Sequence, residues 1–173
     1  MLRFFIVFLL IQGILFAAEL LQPVQQHLII PFTTLIAHIS AWLVQRFDSS
    51  VIAHGVIIQN GDNGFAVSIQ AGCNGVEASI VLIAAMLAFP APWKHRLIGI
   101  TLGFLSVQAM NLLRIISLFY IGQWDKTAFE WAHLYIWQAL IMLDVLIVFL
   151  VWLRFLPARQ TPPSQHAEPA HAA

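Results

Sequence analysis

The stretch VEASIVLIAAMLAFPAPWKHRLIGITLGFLSVQAMNLLRIISLFYI, residues 76–121, holds two apolar runs divided by a short loop that carries Pro90, Pro92, Lys94 and Arg96. Both runs, 76–89 and 97–121, are continuous rather than alternating, which is the pattern of helices in lipid. A bilayer interior offers no solvent for unpaired backbone groups, so only helices or closed barrels can cross it. A barrel would show alternating segments of about ten residues, and none is present. The prolines end the first run because the helix cannot continue through them. The chain therefore turns back as a helical hairpin in a membrane.

The whole composition agrees. The 173 residues are 60% hydrophobic and 9% charged, whereas a soluble domain carries roughly a quarter charged residues. The formal net charge is zero and no basic run occurs, so nothing in the sequence points to a nucleic-acid partner; the lipid bilayer is the expected surrounding. At about 20 residues per crossing, residues 4–21 and 134–155 also span, which makes four crossings. The run 76–89 is short and is read as extending toward Cys73.

A fifth apolar stretch, residues 28–44, contains Pro31, Thr33, Thr34, His38 and Ser40. The bias of basic residues toward the cytoplasm decides its fate. Arg3, the Lys94/Arg96 loop, and Arg154 with Arg159 all fall inside if there are four crossings. A fifth crossing would put the loop and the tail outside. Residues 28–44 are therefore expected along the outer interface or dipping in and returning, with Trp42 in the headgroup layer. The first run opens at Arg3 and ends near Ala17-Ala18-Glu19, as a signal peptide would. It is longer than a usual signal core and lacks a small-x-small site, so it reads as an anchor. Residues 1–157 form one membrane-embedded domain, and 158–173, rich in Pro and Ala, are expected as a disordered cytoplasmic tail.

Before the hairpin, Val56–Gln59 and Phe65–Ile69 flank Asn60-Gly61-Asp62-Asn63-Gly64. The second run alternates and the middle favours a tight turn, so a small β-hairpin is expected outside the membrane. It delivers Cys73, the only cysteine, in the break Ala71-Gly72-Cys73-Asn74-Gly75. Four crossings place Cys73, Arg114 and His133 on one exoplasmic side, within the outer third of the bilayer. Counted from the end of its span at Ile121, Arg114 lies roughly 10 Å below the outer surface at 1.5 Å per residue.

Each residue has a plain reading beside the chemical one. A lone cysteine in an apolar protein is usually inert packing. This one lies in a polar glycine turn, before a helix start whose free N–H groups favour thiolate. Arg114 inside an apolar helix costs at least about 3 kcal/mol on insertion scales, so it needs a partner: Glu77, loop carbonyls, or a developing oxyanion. Asn111 stands one turn away on the same face. His133 alone says little. Haem would want paired, facing histidines, and zinc a recognisable ligand spacing; neither pattern occurs, so no cofactor and no metal is expected. Asp144 lies three turns below His133 and could pair with Gln108.

Cys-x-Gly at Cys73 and Gly75, Asn-x-x-Arg at Asn111 and Arg114, and an isolated His133 at a helix start together resemble the exosortase/archaeosortase family over residues 55–155. The alanine that usually stands three places before the cysteine is here at Ala71, one residue closer, and Asn74 replaces the usual serine after it. The short length and the Gly-Cys-Asn-Gly variant resemble a compact subtype such as exosortase H. The resemblance implies a membrane cysteine transpeptidase of the bacterial inner membrane, its site facing the periplasm. It would cleave proteins that carry a C-terminal transmembrane sorting signal. Cys73 would be the nucleophile, Arg114 the oxyanion partner and His133 the acid and base, with Asn111, Glu77 and Asn74 in support. Two other readings stay open: a plain peptidase that resolves the thioester with water, and a non-catalytic membrane subunit with structural Cys73 and Arg114.

Overall fold

A computed structural model that describes residues 2–157 contains five helices and a small antiparallel sheet at one end of the bundle. The expected tail, 158–173, lies outside the described residues. Helix α1 (Leu2–Glu19) is apolar on every side; only Glu19 is fully buried, one face is half-buried against the bundle and the other is exposed, as on a helix in lipid. Helix α2 (Gln22–Val44) follows after a break at Leu20 and Leu21, and passes through a π turn at Gln25–Ile29. Strands β1 (Val51–His54), β2 (Ile57–Asn60) and β3 (Ala66–Ser68) come next. Helices α3 (Val76–Ala88), α4 (Trp93–Trp124) and α5 (Lys126–Arg154) complete the chain.

The two ends of the bundle are fixed by contacts. Phe4 packs on Phe89 at 6.1 Å between ring centroids, Arg96 Nη2 donates to Phe89 O at 2.8 Å, and Trp152 Nε1 donates to His95 O at 2.9 Å. Arg3, Lys94, Arg96 and Arg154 thus gather at one end, as the sequence expects. Gly99 permits the tight crossing there: a Cβ on it would collide with the Trp152 indole. Gly99→Val is expected to lower the unfolding temperature in detergent by overpacking this crossing, a cost of about 1–3 kcal/mol.

Helix α2 has the length and apolarity to cross a membrane, but its contacts keep it at the opposite end. Gln25 Nε2 donates to Glu19 O at 2.8 Å, Thr33 meets Asn74, and Ile36, Ala37, Ala41 and Val44 share a core with Val51, Ile58, Ile69, Ile115 and Phe119. A crossing helix would carry Val44 to the basic end. Instead it ends beside the sheet and the last turns of α4. One continuous helix stands against the sheet at this end, because one side of it is apolar enough to close a core there. Trp42 remains exposed, stacked under the Arg46 guanidinium at 4.6 Å.

The expected hairpin is a three-stranded meander, ordered β1-β2-β3. The additional strand, β1, pairs His54 with Ile57 across a two-residue turn at Gly55, whose φ is +57°. Asn60 and Asn63 both donate to Gln123 Oε1, at 3.2 and 2.8 Å, and so tie the sheet to α4. Below this cap lies a second core of Ala78, Leu82, Met86, Val107, Ile141, Val145 and Trp152, which joins α3, α4 and α5. The seam between the two cores is where Cys73 sits.

Candidate active site

Helix α3 is short. Its 13 residues rise about 20 Å, against about 30 Å of hydrocarbon in a bilayer. Alone it is too short to cross the hydrocarbon fully. Arg114, 21 positions along α4, lies about 32 Å from that helix's basic end.

The cysteine loop is built by small, specific interactions. Gly75 adopts φ +77° as the residue before α3, a conformation that favours glycine. A Cβ there would also approach Gln108 Nε2 to 2.8 Å and Asn111 Cγ to 3.2 Å. Asn74, fully buried, accepts from Val76 N at 3.1 Å and donates to Thr33 Oγ1 at 3.0 Å, so it caps α3 and ties α2 to the loop. Gly75→Ala is expected to cost about 1–3 kcal/mol through the left-handed backbone alone. It should also displace Cys73, read as a lower unfolding temperature together with altered thiol labelling.

The structure brings the three residues together. Arg114 Nη2 lies 3.6 Å from Cys73 Sγ and its Nη1 donates to Gly72 O at 3.2 Å. His133 presents Nδ1 at 3.9 Å and Nε2 at 3.8 Å from the same sulfur. Both ring nitrogens therefore lie within reach of the thiol. Such contacts commonly tighten only when substrate binds. Phe129 stacks on His133 at 5.7 Å and 6°, which sets the ring plane. His133 lies in a π turn, Ala132–Ile136, in the second turn of α5 rather than at its start. Single π turns inside α-helices concentrate at functional sites.

A cavity of about 210 Å³ opens beside these groups, walled by β3 and the cysteine loop on one side and by Arg114, Leu118, Phe129 and His133 on the other. It is small enough for a peptide unit and a side chain. A larger cavity of about 400 Å³ lies between α4 and α5 toward the basic end. It contains Asp144, Ser106 and His95 but none of Cys73, Arg114 and His133, so it is separate from the cysteine site. Asp144 Oδ1 accepts from Ser106 Oγ at 3.4 Å rather than pairing with Gln108.

Two expectations are corrected. Cys73 is not poised as thiolate: burial pushes its pKa up, the Arg114 guanidinium pulls it down, and Glu77 pushes it up again, leaving it above the ordinary thiol value. The loop bends the thiol inward, away from water, so desolvation outweighs the helix start. Glu77 is not the counter-ion of Arg114. Its carboxylate accepts from the Gly72 backbone N–H, and among the described residues Arg114 contacts the carbonyl of Gly72 and the sulfur instead. Asn111 is fully buried, but its amide has no hydrogen-bond partner and makes no bond to Arg114; it packs behind Gly75.

Reactivity follows with a definite sign. Alkylation of Cys73 should climb with pH to a midpoint above that of an ordinary thiol. Arg114→Gln should move the midpoint higher still, since the guanidinium is the one group lowering it. Rates of iodoacetamide labelling against pH check both.

Two contributions were not legible in the sequence: Thr33, which reaches Asn74 from 41 residues away, and Phe129. Only Phe129 had a local signal, its i,i+4 spacing to His133 in a helical stretch. Among the described residues no group of three or more His, Cys, Asp or Glu could hold a metal.

The family model described as Transmembrane exosortase (Exosortase_EpsH) matches residues 1–153. No curated protein and no solved structure matches the chain. The matched span takes in every helix but the last residue of α5, and with it Cys73, Arg114 and His133; the chain belongs to the transmembrane exosortase family.

Proposed function

We propose that this protein is a membrane cysteine transpeptidase that cleaves exported proteins near a C-terminal transmembrane sorting signal and passes them to an acceptor. The observation that carries the reading is the meeting of the sole thiol, a buried guanidinium and an imidazole within 3.9 Å of one sulfur. The gathering of Arg3, Lys94, Arg96 and Arg154 at the other end supports a site facing the periplasm from a bacterial inner membrane. A site sunk in the outer leaflet suits a scissile bond just outside a membrane anchor.

The steps follow from the resting charges. Cys73 starts as a neutral thiol, and His133 takes its proton as Sγ attacks the scissile carbonyl. Negative charge grows on the carbonyl oxygen, where the Arg114 guanidinium, shielded from water, is worth most. Collapse breaks the C–N bond, and His133 gives its proton to the leaving amine. The acyl group is left as a thioester on Cys73. His133 then deprotonates the incoming nucleophile, which displaces the sulfur.

Mass spectrometry of the processed protein's new C-terminus tests the reaction class. An attached amine or lipid is expected. A free carboxylate would mean hydrolysis instead, and an unprocessed substrate would return the chain to a non-catalytic role.

A further inference from the structure

Strand β3 has a free edge. Asn60 N–H donates to Phe65 O at 2.8 Å and Ile69 N–H donates to Val56 O at 2.9 Å, so residues 65, 67 and 69 turn their backbone groups toward β2. Antiparallel pairing alternates, which turns the N–H and C=O of Ala66 and Ser68 the other way. Both residues are exposed, and among the described residues nothing bonds to these four groups. The opposite edge of the sheet differs. There Val51 N–H donates to Asp48 O at 3.4 Å and Val51 O accepts from Gln45 Nε2 at 2.7 Å, so the chain closes that edge itself.

The open edge borders the cysteine site. A cavity of about 420 Å³ is walled by residues 65–68 on one side and by Gly122, Lys126 and Phe129 on the other. It shares Val67, Ser68 and Phe129 with the 210 Å³ cavity that holds Cys73, so the two form one trough along β3. The Phe65 ring packs on Gly122, near the end of α4 farthest from the basic residues, whereas Cys73 meets Arg114 eight positions earlier. The trough therefore leads inward over about 12 Å, roughly four residues of extended chain, and ends at the sulfur.

We propose that an extended segment of the substrate adds to β3 as a fourth strand, and that this pairing delivers the scissile carbonyl to Cys73. An unpaired strand edge is a template for another chain, and its continuity with the cysteine cavity names the occupant. The trough approaches Cys73 from the outer end, so the segment is the stretch on the exported protein's side of the cut. Backbone bonds to Ala66 and Ser68 supply affinity, and alternate side chains of the added strand, set against the two cavities, supply selectivity. The identity of the occupant rests on the transpeptidase reading, whereas the strand pairing needs no turnover.

Random decapeptides displayed on their encoding mRNA are the probe. They are selected on the full-length protein in nanodiscs and kept if they slow alkylation of Cys73 by iodoacetamide. Such peptides should emerge, and Ala66→Pro should weaken each about tenfold, since proline removes an outward N–H and leaves the β2 pairing intact. Methyl groups placed one at a time on the peptide's backbone nitrogens, with the parent protein, give a second readout independent of how Ala66→Pro folds. Two nitrogens two positions apart should each cost about tenfold when methylated, and the nitrogen between them less than about twofold. A selection without any protecting peptide, equal affinity for a folded Ala66→Pro protein, or a flat methylation profile would overturn the proposal. Protecting peptides with the alternating profile, on a protein that never processes a substrate, would sink the transpeptidase reading and leave the strand site standing. Processing at the parent rate by a folded Ala66→Pro protein would do the reverse.

Discussion

Cys73→Ala abolishes substrate processing, by at least about 10⁴-fold, while the protein accumulates in the membrane at the parent level. The size of the loss follows from chemistry: Cys73 is the chain's only thiol, and no other side chain in the 210 Å³ cavity can form an acyl intermediate as readily. Normal accumulation follows from packing. Cys73 is only partly buried and sits at the edge of the outer core, so alanine leaves Ile36, Ile58 and Phe119 in place. Quantitative blotting of precursor and processed substrate, beside the protein's own level, checks both halves. A purely structural cysteine would show the reverse, with processing intact or lost only in step with the protein.

Arg114→Lys costs about 10²–10³ in turnover. Lysine keeps the positive charge, but it cannot hold Gly72 O with one nitrogen while presenting another to the sulfur and the developing oxyanion, as the planar guanidinium does at 3.2 and 3.6 Å. Arg114 is 4% exposed, so removing its charge altogether also risks the fold. The charge-conserving variant separates the two effects, because its unfolding temperature should fall far less than its turnover. Single-turnover processing rates in detergent, paired with thermal unfolding, provide the check. Equal losses in both would assign Arg114 to the scaffold.

The parts that were legible in the sequence are those governed by the bilayer. Continuous apolar runs fix the helices, and the basic residues 3, 94, 96 and 154 fix which ends belong together. That parity was enough to place residues 73, 114 and 133 on one side before any contact was known. It also kept residues 22–44 from returning to the basic end, a restraint that length and apolarity alone would have missed. What the sequence could not supply are the interactions made across long stretches of chain. The Thr33–Asn74 bond joins residues 41 positions apart, and no local spacing announces it. Strand β1 escaped notice because Val51–His54 is only four residues long, beside a helix that ends in similar apolar character. The protonation of Cys73 was misread for a related reason. A helix start and a cation lower a thiol's pKa while apolar burial raises it, and here the burial, which comes from the fold closing over the loop, outweighs both.

The central claim is that Cys73 carries the acyl group. The most direct measurement is mass spectrometry of the protein after acid quenching during turnover with a substrate. The account predicts an acyl adduct on Cys73 that hydroxylamine removes and that Cys73→Ala lacks. Processing that proceeds at full rate with Cys73 unmodified throughout would contradict it.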